Sequence, residues 1–324
     1  MRKRLLWAAL FANAGLAAWI AGANAASYPD KPVRLILGFP AGVVDDYVAR
    51  IIAPRLSERL GQNIIVDNRA GAAGNLAADM VAHASPDGYT LLMVGSISLA
   101  SSRSLYPKLG YDLFRNFSYV AVVATSANVL IAHPSFPAKS VAEMVALARA
   151  KPKTVRYGSA GIASTGHLAM GLLESRSGIA LLHVPYKGGV AAVIGLAGGE
   201  VQVAFASTAA ATPLITAKKV HALAVTSKKP LAALPDVPTV AADYPGYNVT
   251  STFGILVPAG TPAAVIKVLN AELRNIVQTN EVKAKFAEQG IEAVSSTPAE
   301  FKALMEAEVA LWGRVIKETN ITVN

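Results

Sequence analysis

Short apolar runs alternate with longer amphipathic stretches along most of the chain. Three apolar runs, each followed by about fifteen to twenty residues of helical periodicity, predict a parallel βαβαβ unit. These runs are residues 33–38, 63–67 and 90–95. Further runs predict strands of a second sheet, at residues 129–132, 155–158, 181–184, 201–205 and 222–226. The pattern therefore predicts an α/β protein with enough strands for a second sheet.

The first predicted helix begins near Asp45 or Asp46 and ends at Gly61, because Gly favours the left-handed conformation that closes a helix. Pro54 is expected to bend this helix. Its predicted buried side consists of Val48, Ile51, Ile52, Leu56 and Leu60.

Two capping-box patterns mark the starts of later helices. Ser140 with Glu143 opens one helix, and Thr297 with Glu300 opens another near the C-terminus. A stripe at helical spacing predicts that the second of these helices packs on the core: Phe301, Leu304, Met305, Leu311, Trp312, Val315 and Ile316. The proline-rich segment 228–247 is expected to be an extended connection between lobes.

The N-terminus has the features of a secretory signal peptide. Three basic residues, Arg2 to Arg4, precede an apolar run that ends in the small-residue pattern 23–25, so we expect cleavage after Ala25. The alternative is an uncleaved membrane anchor over residues 5–21. With no cysteine in the chain, disulfides, thiolate metal sites and lipid attachment through an N-terminal cysteine are excluded. The expected product is a soluble exported protein.

Charge argues against a nucleic-acid partner. The formal net charge is +9, and removal of the signal takes away three positive residues and leaves about +6. Lysine and arginine are scattered rather than gathered into an arm or a stripe. About 300 residues usually form two domains, so we expect two lobes and no nucleic acid.

Three loops that follow strand-like runs suggest an anion site: residues 39–42, 157–161 and 186–189. Each leads into a helical pattern, and the amides at a helix N-terminus can bind an anion such as a carboxylate. The five histidines show no close metal-ligand spacing, and neither a G-x-S-x-G elbow nor a phosphate loop is found. We therefore predict no catalytic residue, metal or cofactor, with a carboxylate-ester hydrolase as the alternative.

Seven ordered motifs carry a resemblance that covers nearly the whole mature sequence. They are YPDKP (28–32), FPAG (39–42), DNRAG (67–71), PDGYT (86–90), HVPYKG (183–188), LPDVPT (234–239) and PAGTP (258–262). With these motifs the chain resembles the Bug-type, or TctC-type, solute receptors of tripartite tricarboxylate transporters. The resemblance implies a two-lobed, type II-like periplasmic-binding-protein fold with a small carboxylate between the lobes.

The resemblance also implies an organisation and partners. Lobe I is expected to comprise residues 26–125 plus 250–324, and lobe II residues 126–249. The protein is expected to be a periplasmic monomer that closes by a hinge and delivers its ligand to a membrane permease. A periplasmic ligand carrier for a signalling receptor is the alternative, because either partner would read the closed shape.

Family members bind ligand with two facing loops, and their counterparts here are residues 39–46 and 159–167. The predicted ligand-binding residues in the first are Phe39, Pro40, Ala41, Gly42, Val43 and Asp46. Those in the second are Ser159, Ala160, Gly161, Ser164, Thr165 and His167; for His167 a structural hydrogen bond is an equal alternative. Three further residues at strand ends are candidates for lining the cleft: Ser96, Tyr186 and Ser207.

The sequence departs from the family pattern near these loops. Val43 stands where relatives usually carry a second glycine, and Val44 and an extra acid, Asp45, follow it. A branched side chain narrows the pocket, and an added carboxylate opposes a dianion. We therefore expect a less polar carboxylate than citrate or a C4-dicarboxylate. Other departures are Ala70 for Pro, Ala73 and Ala163 for Gly, Ala206 for Asp and Thr252 for Trp.

Overall fold

The computed structural model describes residues 28–323, so the predicted signal peptide lies outside the described residues. Within this range the strands are β1 Val33–Leu37, β2 Ile64–Asn68, β3 Thr90–Gly95, β4 Phe117–Ala132, β5 Arg156–Ser159, β6 Leu182–Pro185, β7 Val203–Ser207, β8 His221–Val225, β9 Thr250–Pro258 and β10 Ile291–Ala293. The helices are α1 Val44–Leu60, α2 Asn75–Ala82, α3 Ser96–Leu105, α4 Val141–Ala150, α5 Thr165–Ser177, α6 Gly189–Ala197, α7 Thr208–Thr216, α8 Val240–Asp243, α9 Ala263–Gln278, α10 Asn280–Glu288 and α11 Pro298–Thr319. None of the helices over 28–323 has the length and apolarity needed to cross a membrane.

All ten of these strands belong to one mixed sheet, and β4 connects its two halves. One half has the order β2-β1-β3-β9-β4, in which β1 pairs parallel with β2 and β3, while β9 runs antiparallel to β3 and β4. The other half continues from β4 through β7 and β5 to β6. The first part of β4 pairs with β9, and its last residues pair with β7 and β8. Strands β4 and β9 therefore pass between the two halves, and the predicted α/β class is confirmed.

The apolar runs identified the parallel strands within about two residues, but three strands differ from the expectation. β4 begins at Phe117, well before the run expected from residue 129, and β9 and β10 were not predicted. β9 begins with the polar residues Thr250, Ser251 and Thr252, which give no apolar signal. Its position is set by antiparallel pairing with β3 and β4 on either side. The segment 228–247 also contains a helix, α8, so it is not simply extended.

Helix ends follow their capping residues. Helix α1 begins at Val44 and ends where Gly61 adopts a left-handed conformation, as predicted. Thr297 and Glu300 form the full capping box of α11. At α4 only half of the box forms: the Ser140 hydroxyl accepts from the Glu143 N–H, but the Glu143 carboxylate accepts from the N–H of Lys139. The reciprocal bond expected from the Ser140 N–H to the Glu143 carboxylate is therefore replaced by a bond from the N–H of Lys139, the residue before the cap.

The C-terminal helix α11 joins the two halves of the sheet. Phe301, Met305 and Trp312 are buried in the largest hydrophobic cluster, which confirms the predicted core stripe. The same cluster contains Leu168 of α5 and Ile97 of α3. Helix α11 packs on both of those helices as well as on β4. The start of α3, directly after β3, and the loop at the start of α5 are thereby held on one common support.

Candidate functional site

A cavity of about 440 Å³ lies where the carboxyl ends of β1 and β3 face those of β5 and β7. Binding sites in open α/β sheets lie outside the carboxyl ends of strands, and pockets for small molecules have volumes of about 300–1,000 Å³. Ser126 and Asn128 of β4 and Ser251 and Phe253 of β9 complete the lining between the halves. The cavity is thus large enough for a small organic molecule.

The first loop, residues 39–46, is held by side-chain hydrogen bonds. Gly42 has φ +88°, a conformation that favours glycine, and its N–H donates to Asp46 Oδ2 at 3.0 Å. The Arg50 Nε donates to the same oxygen at 2.9 Å. The Asn68 side chain donates to the Phe39 carbonyl at 3.0 Å. Burial raises the pKa of Asp46, but the bonds from Arg50, Gly42 and Asn68 outweigh it and hold that pKa below its usual value.

Asp45 directly precedes Asp46 in the same loop, but its carboxylate has a different environment. It lines the cavity, yet the residue is only 7 % exposed. Its Oδ2 is buried without a hydrogen-bond partner among residues 28–323. Burial, with a smaller contribution from the charge of Asp46, raises the pKa of Asp45 to about 7.

The second loop, residues 159–167, is shaped by Ser159 and Ser164. The Ser159 hydroxyl donates to the Gly161 carbonyl at 2.9 Å and accepts from the Gly161 N–H at 3.1 Å. The Ser164 hydroxyl caps α5 by accepting from the N–H of residue 167. Within the described chain, the N–H groups of Thr165 and Gly166 have no acceptor, and both residues line the cavity. This helix end can therefore donate hydrogen bonds to an anion.

Two stacked histidines lie behind the second loop. The rings of His167 and His183 are 3.8 Å apart between centroids, and Tyr157 stacks on His183 at 4.8 Å. The Ala163 N–H donates to His167 Nδ1 at 3.0 Å, and Ser159 Oγ lies 2.7 Å from His183 Nε2. Burial lowers the pKa of both imidazoles to about 4, and at His167 the neighbouring ring adds to the effect. The pair is neutral at pH 7 and supplies no cation to the cavity.

Six of the predicted ligand-binding residues line the cavity: Phe39, Val43, Ala160, Ser164, Thr165 and Ser207. They come from the ends of β1, β5 and β7, which the fold brings together from distant parts of the chain. Ser207 also caps α7, because its hydroxyl accepts from the Ala210 N–H. Contact of these residues with a ligand stays a prediction.

The other predicted residues lie outside the lining, in four kinds of place. Pro40, Ala41 and Gly42 are exposed beside it, and Asp46, Ser159, Gly161 and His167 lie behind the two loops. Ser96 is fully buried, where its hydroxyl accepts from the Thr252 N–H. The Tyr186 ring packs beside α6, and its hydroxyl donates to Glu200. Asp46 and Ser159 make hydrogen bonds within the loops, and His167 makes a structural hydrogen bond with the Ala163 N–H. Contact of any of these nine residues with a ligand stays a prediction.

Several lining residues were not among the predicted ones. The polar ones are Asp45, Ser98, Ser126, Asn128 and Ser251, and the aromatic ones are Phe205 and Phe253. Asp45 was visible in the sequence as an added acid beside the first loop. Ser251 and Phe253 belong to β9, which was not predicted, so nothing in the local pattern indicated them.

Two alanines adopt positive φ at positions where the resemblance led us to expect glycine. Ala73 has φ +54° and Ala163 has φ +61°, and both line the cavity. In this region a Cβ costs roughly 1 kcal/mol. The chain therefore keeps the glycine-type backbone of both turns and adds a methyl group to each.

A sequence profile described as "Tripartite tricarboxylate transporter family receptor" matches residues 48–321, most of the chain. The chain belongs to this receptor family. Its fold is that of the periplasmic binding protein BugD, at 30% identity and a TM-score of 0.77 over 91% of this chain and 99% of BugD. The predicted family and the predicted periplasmic-binding-protein fold are thereby confirmed.

Two similar structures from Rhodopseudomonas palustris hold carboxylates. Rpa4515 with adipate is 35% identical, with a TM-score of 0.80 over 91% of this chain and 99% of that chain. MatC with bound malate is 28% identical, with a TM-score of 0.76 over 89% of this chain and 100% of that chain. The tripartite tricarboxylate receptor family is thus a family of periplasmic substrate-binding receptors in which small carboxylates are ligands.

Proposed function

We propose that this protein is an extracytoplasmic receptor that binds a small carboxylate in the cavity between its two loops. The observation that carries the proposal is the start of α5, where Thr165 and Gly166 line the cavity and their N–H groups have no acceptor in the described chain. Such amides give charge-assisted hydrogen bonds to an anion, each worth about 1.5–3 kcal/mol. The adipate and malate bound by similar structures support the same ligand class.

The protein delivers this ligand to the membrane permease of a tripartite tricarboxylate-type transporter. It is exported to the periplasm through the cleavable signal at residues 1–25 and acts as a monomer. Lobe I comprises 26–125 plus 250–324, and lobe II comprises 126–249. Strands β4 and β9 connect the two halves of the sheet, so a hinge there would close the loops on the ligand.

The carboxylate is less polar than citrate or malate. The cavity lining includes the apolar side chains of Phe39, Val43, Ile97, Phe205 and Phe253. A ligand with several carboxylates would bury charges against these side chains without a compensating cation, which is costly. A hydrocarbon body with one carboxylate fits this surface better.

The test is calorimetric titration of the mature protein, purified without unfolding, with hexanoate, adipate, malate and citrate. Native mass spectrometry of the same preparation would identify any co-purified molecule by its mass. We expect stoichiometric binding of at least one carboxylate, with citrate the weakest. Absence of binding by every carboxylate, or catalytic turnover of a carboxylate ester, would contradict the proposal.

The partner is tested separately by capture from native membranes with and without ligand. A multi-span permease that is retained only with the loaded protein is the expected result. Recovery of a sensor kinase instead would favour the signalling alternative.

A further inference from the structure

The starting observation is a largely buried acid in the cavity lining, one of whose oxygens has no hydrogen-bond partner among the described residues. Asp45 is 7 % exposed and lines the cavity, and its Oδ2 has no partner among the described residues. The Asp45 carboxylate lies close to Gly95 at the end of β3, since a Cβ added to this glycine would be 3.9 Å from each of the two oxygens. The carboxylate is thus held against backbone at the floor of the first loop. A buried acceptor without a donor costs free energy unless a ligand supplies the donor.

The neighbouring residue shows that this arrangement is specific to Asp45. Asp46 is similarly buried, but its carboxylate accepts from the Gly42 N–H and from Arg50. Arg50 is therefore engaged by Asp46 and by the Asn68 side chain. The cation closest in sequence is already paired with the other acid.

The rest of the cavity lining contains no compensating charge. Among residues 28–323, Asp45 is the one ionisable side chain in that lining, and the other polar groups are hydroxyls, one amide and backbone. A ligand with two carboxylates would therefore meet a single acid and no basic side chain. A ligand that carries its own positive charge would neutralise Asp45 on binding.

The opposite wall of the cavity has the complementary chemistry. The N–H groups of Thr165 and Gly166 begin α5, whose first turn contains no acid, so the helix dipole there favours an anion. At the first loop, in contrast, Asp45 and Asp46 already occupy the first turn of α1. The two ends of the cavity thus favour opposite charges.

We propose that the ligand is an amino-carboxylate whose ammonium group binds Asp45 while its carboxylate binds the N-terminus of α5. This inference rests on the proposed carboxylate-binding function and narrows its substrate class. It makes Asp45 the residue that determines specificity, and it assigns the carboxylate to the second loop rather than to both loops. The apolar middle of the cavity contacts the hydrocarbon chain between the two charged groups.

The test uses four ligands of equal chain length: hexanoate, adipate, ω-hydroxyhexanoate and ε-aminocaproate. A shorter set, of butyrate, succinate and γ-aminobutyrate, covers the dependence on length. Titrations near pH 8 keep Asp45 ionised. We expect one of the amino acids to bind at least tenfold more tightly than the carboxylate and dicarboxylate of its length, as one charge-assisted bond provides.

The variant Asp45→Asn should remove this preference, reducing affinity for the amino acid at least tenfold while leaving or improving the affinity for hexanoate and adipate. The matched control is Glu58→Gln, on the exposed side of the same helix, which should leave all affinities unchanged. Equal binding of hydroxy- and amino-ligands, or an unchanged preference in Asp45→Asn, would overturn the inference. If carboxylates bind but the amino acids are not preferred, the inference is overturned and the proposed carboxylate-binding function stands. If no ligand of either set binds, and neither malate nor citrate binds, both the inference and the proposed function are overturned.

Discussion

The first and second loops follow similar strand ends in the two halves of the sheet, yet they present opposite charge to the cavity. The first loop carries Asp45, which is buried with an unused oxygen. The second loop presents the N–H groups of Thr165 and Gly166 and is supported by neutral imidazoles. Equivalent positions in an α/β fold can therefore have different chemistry, because acids in the first turn of a helix reverse the charge that its N-terminus offers to a ligand.

The largest expected effect is at Gly161, which has φ +127° in the second loop. A β-branched residue is disfavoured there, so Gly161→Val should distort the loop and lower carboxylate affinity at least tenfold, measured by calorimetry. The matched control is Gly178→Val, at φ +67° in the C-cap of α5, with open space around it. Both variants should lose stability, but only the first should lose affinity. Unchanged affinity in Gly161→Val would separate this loop from ligand binding.

The variant Asp46→Asn tests whether the two acids of the first loop have different roles. Asp46 accepts from the Gly42 N–H and from Arg50, so the amide should lower the free energy of unfolding by about 2 kcal/mol. Chemical denaturation measures this loss. Asp67→Asn is the control, since Asp67 pairs with Arg34 and Arg69 at the surface and should cost less than about 1 kcal/mol. Equal losses would contradict the structural role assigned to Asp46.

The pH dependence of stability should differ in sign between the loops. Burial raises the pKa of Asp45 to about 7, so its contribution to stability is present below the ordinary value of 3.8 and is lost as the pH rises through 7. Asp45→Asn should therefore raise the free energy of unfolding by about 1–2 kcal/mol near pH 8.5 and change it little near pH 4. Denaturation curves at both pH values measure this.

The second loop should respond in the opposite direction. Burial lowers the pKa of His167 and His183 to about 4, so their contribution is present above the ordinary value of 6.5 and is lost as the pH falls through 4. The variant His167→Asn keeps an acceptor for the Ala163 N–H and should make the loss of stability on acidification smaller. Glu308, whose pKa burial raises to about 7, titrates in the same direction as Asp45. Glu308→Gln therefore serves as the control, because it should not make the loss of stability on acidification smaller. If His167→Asn leaves that loss unchanged, the role assigned to the histidines is contradicted.

The smallest effect on stability is expected from relaxing the backbone at Ala163 in the second loop. Ala163 has φ +61°, so Ala163→Gly relieves strain but loses a partly buried methyl group and adds freedom to the unfolded chain. The net change in the free energy of unfolding should lie within about 1 kcal/mol of zero. A change larger than this, measured by thermal or chemical denaturation, would show that the turn differs in conformation.

The parallel strands, the C-cap of α1 and the core stripe of α11 were predictable because each depends on local pattern. Strand β9 was not predictable, because its first residues are polar and its place depends on β3 and β4. For the same reason the contribution of Ser251 and Phe253 to the cavity was missed. Ser96 shows the opposite case: a hydroxyl at a strand end predicted a cleft residue, whereas the structure places it fully buried, where it accepts a hydrogen bond from the Thr252 N–H.

The sequence by itself determined the family, the α/β class and the two loops, because motif order, apolar periodicity and glycine placement are properties of neighbouring residues. Only the tertiary structure decided which side chains of those loops face the cavity. Asp45 and Asp46 are adjacent residues of the same type. The Asp46 carboxylate accepts from Arg50 and the Gly42 N–H, whereas the Oδ2 of Asp45 is buried without a donor among the described residues. Burial and hydrogen-bond partners set the chemistry of a carboxylate, and both depend on residues distant in the chain.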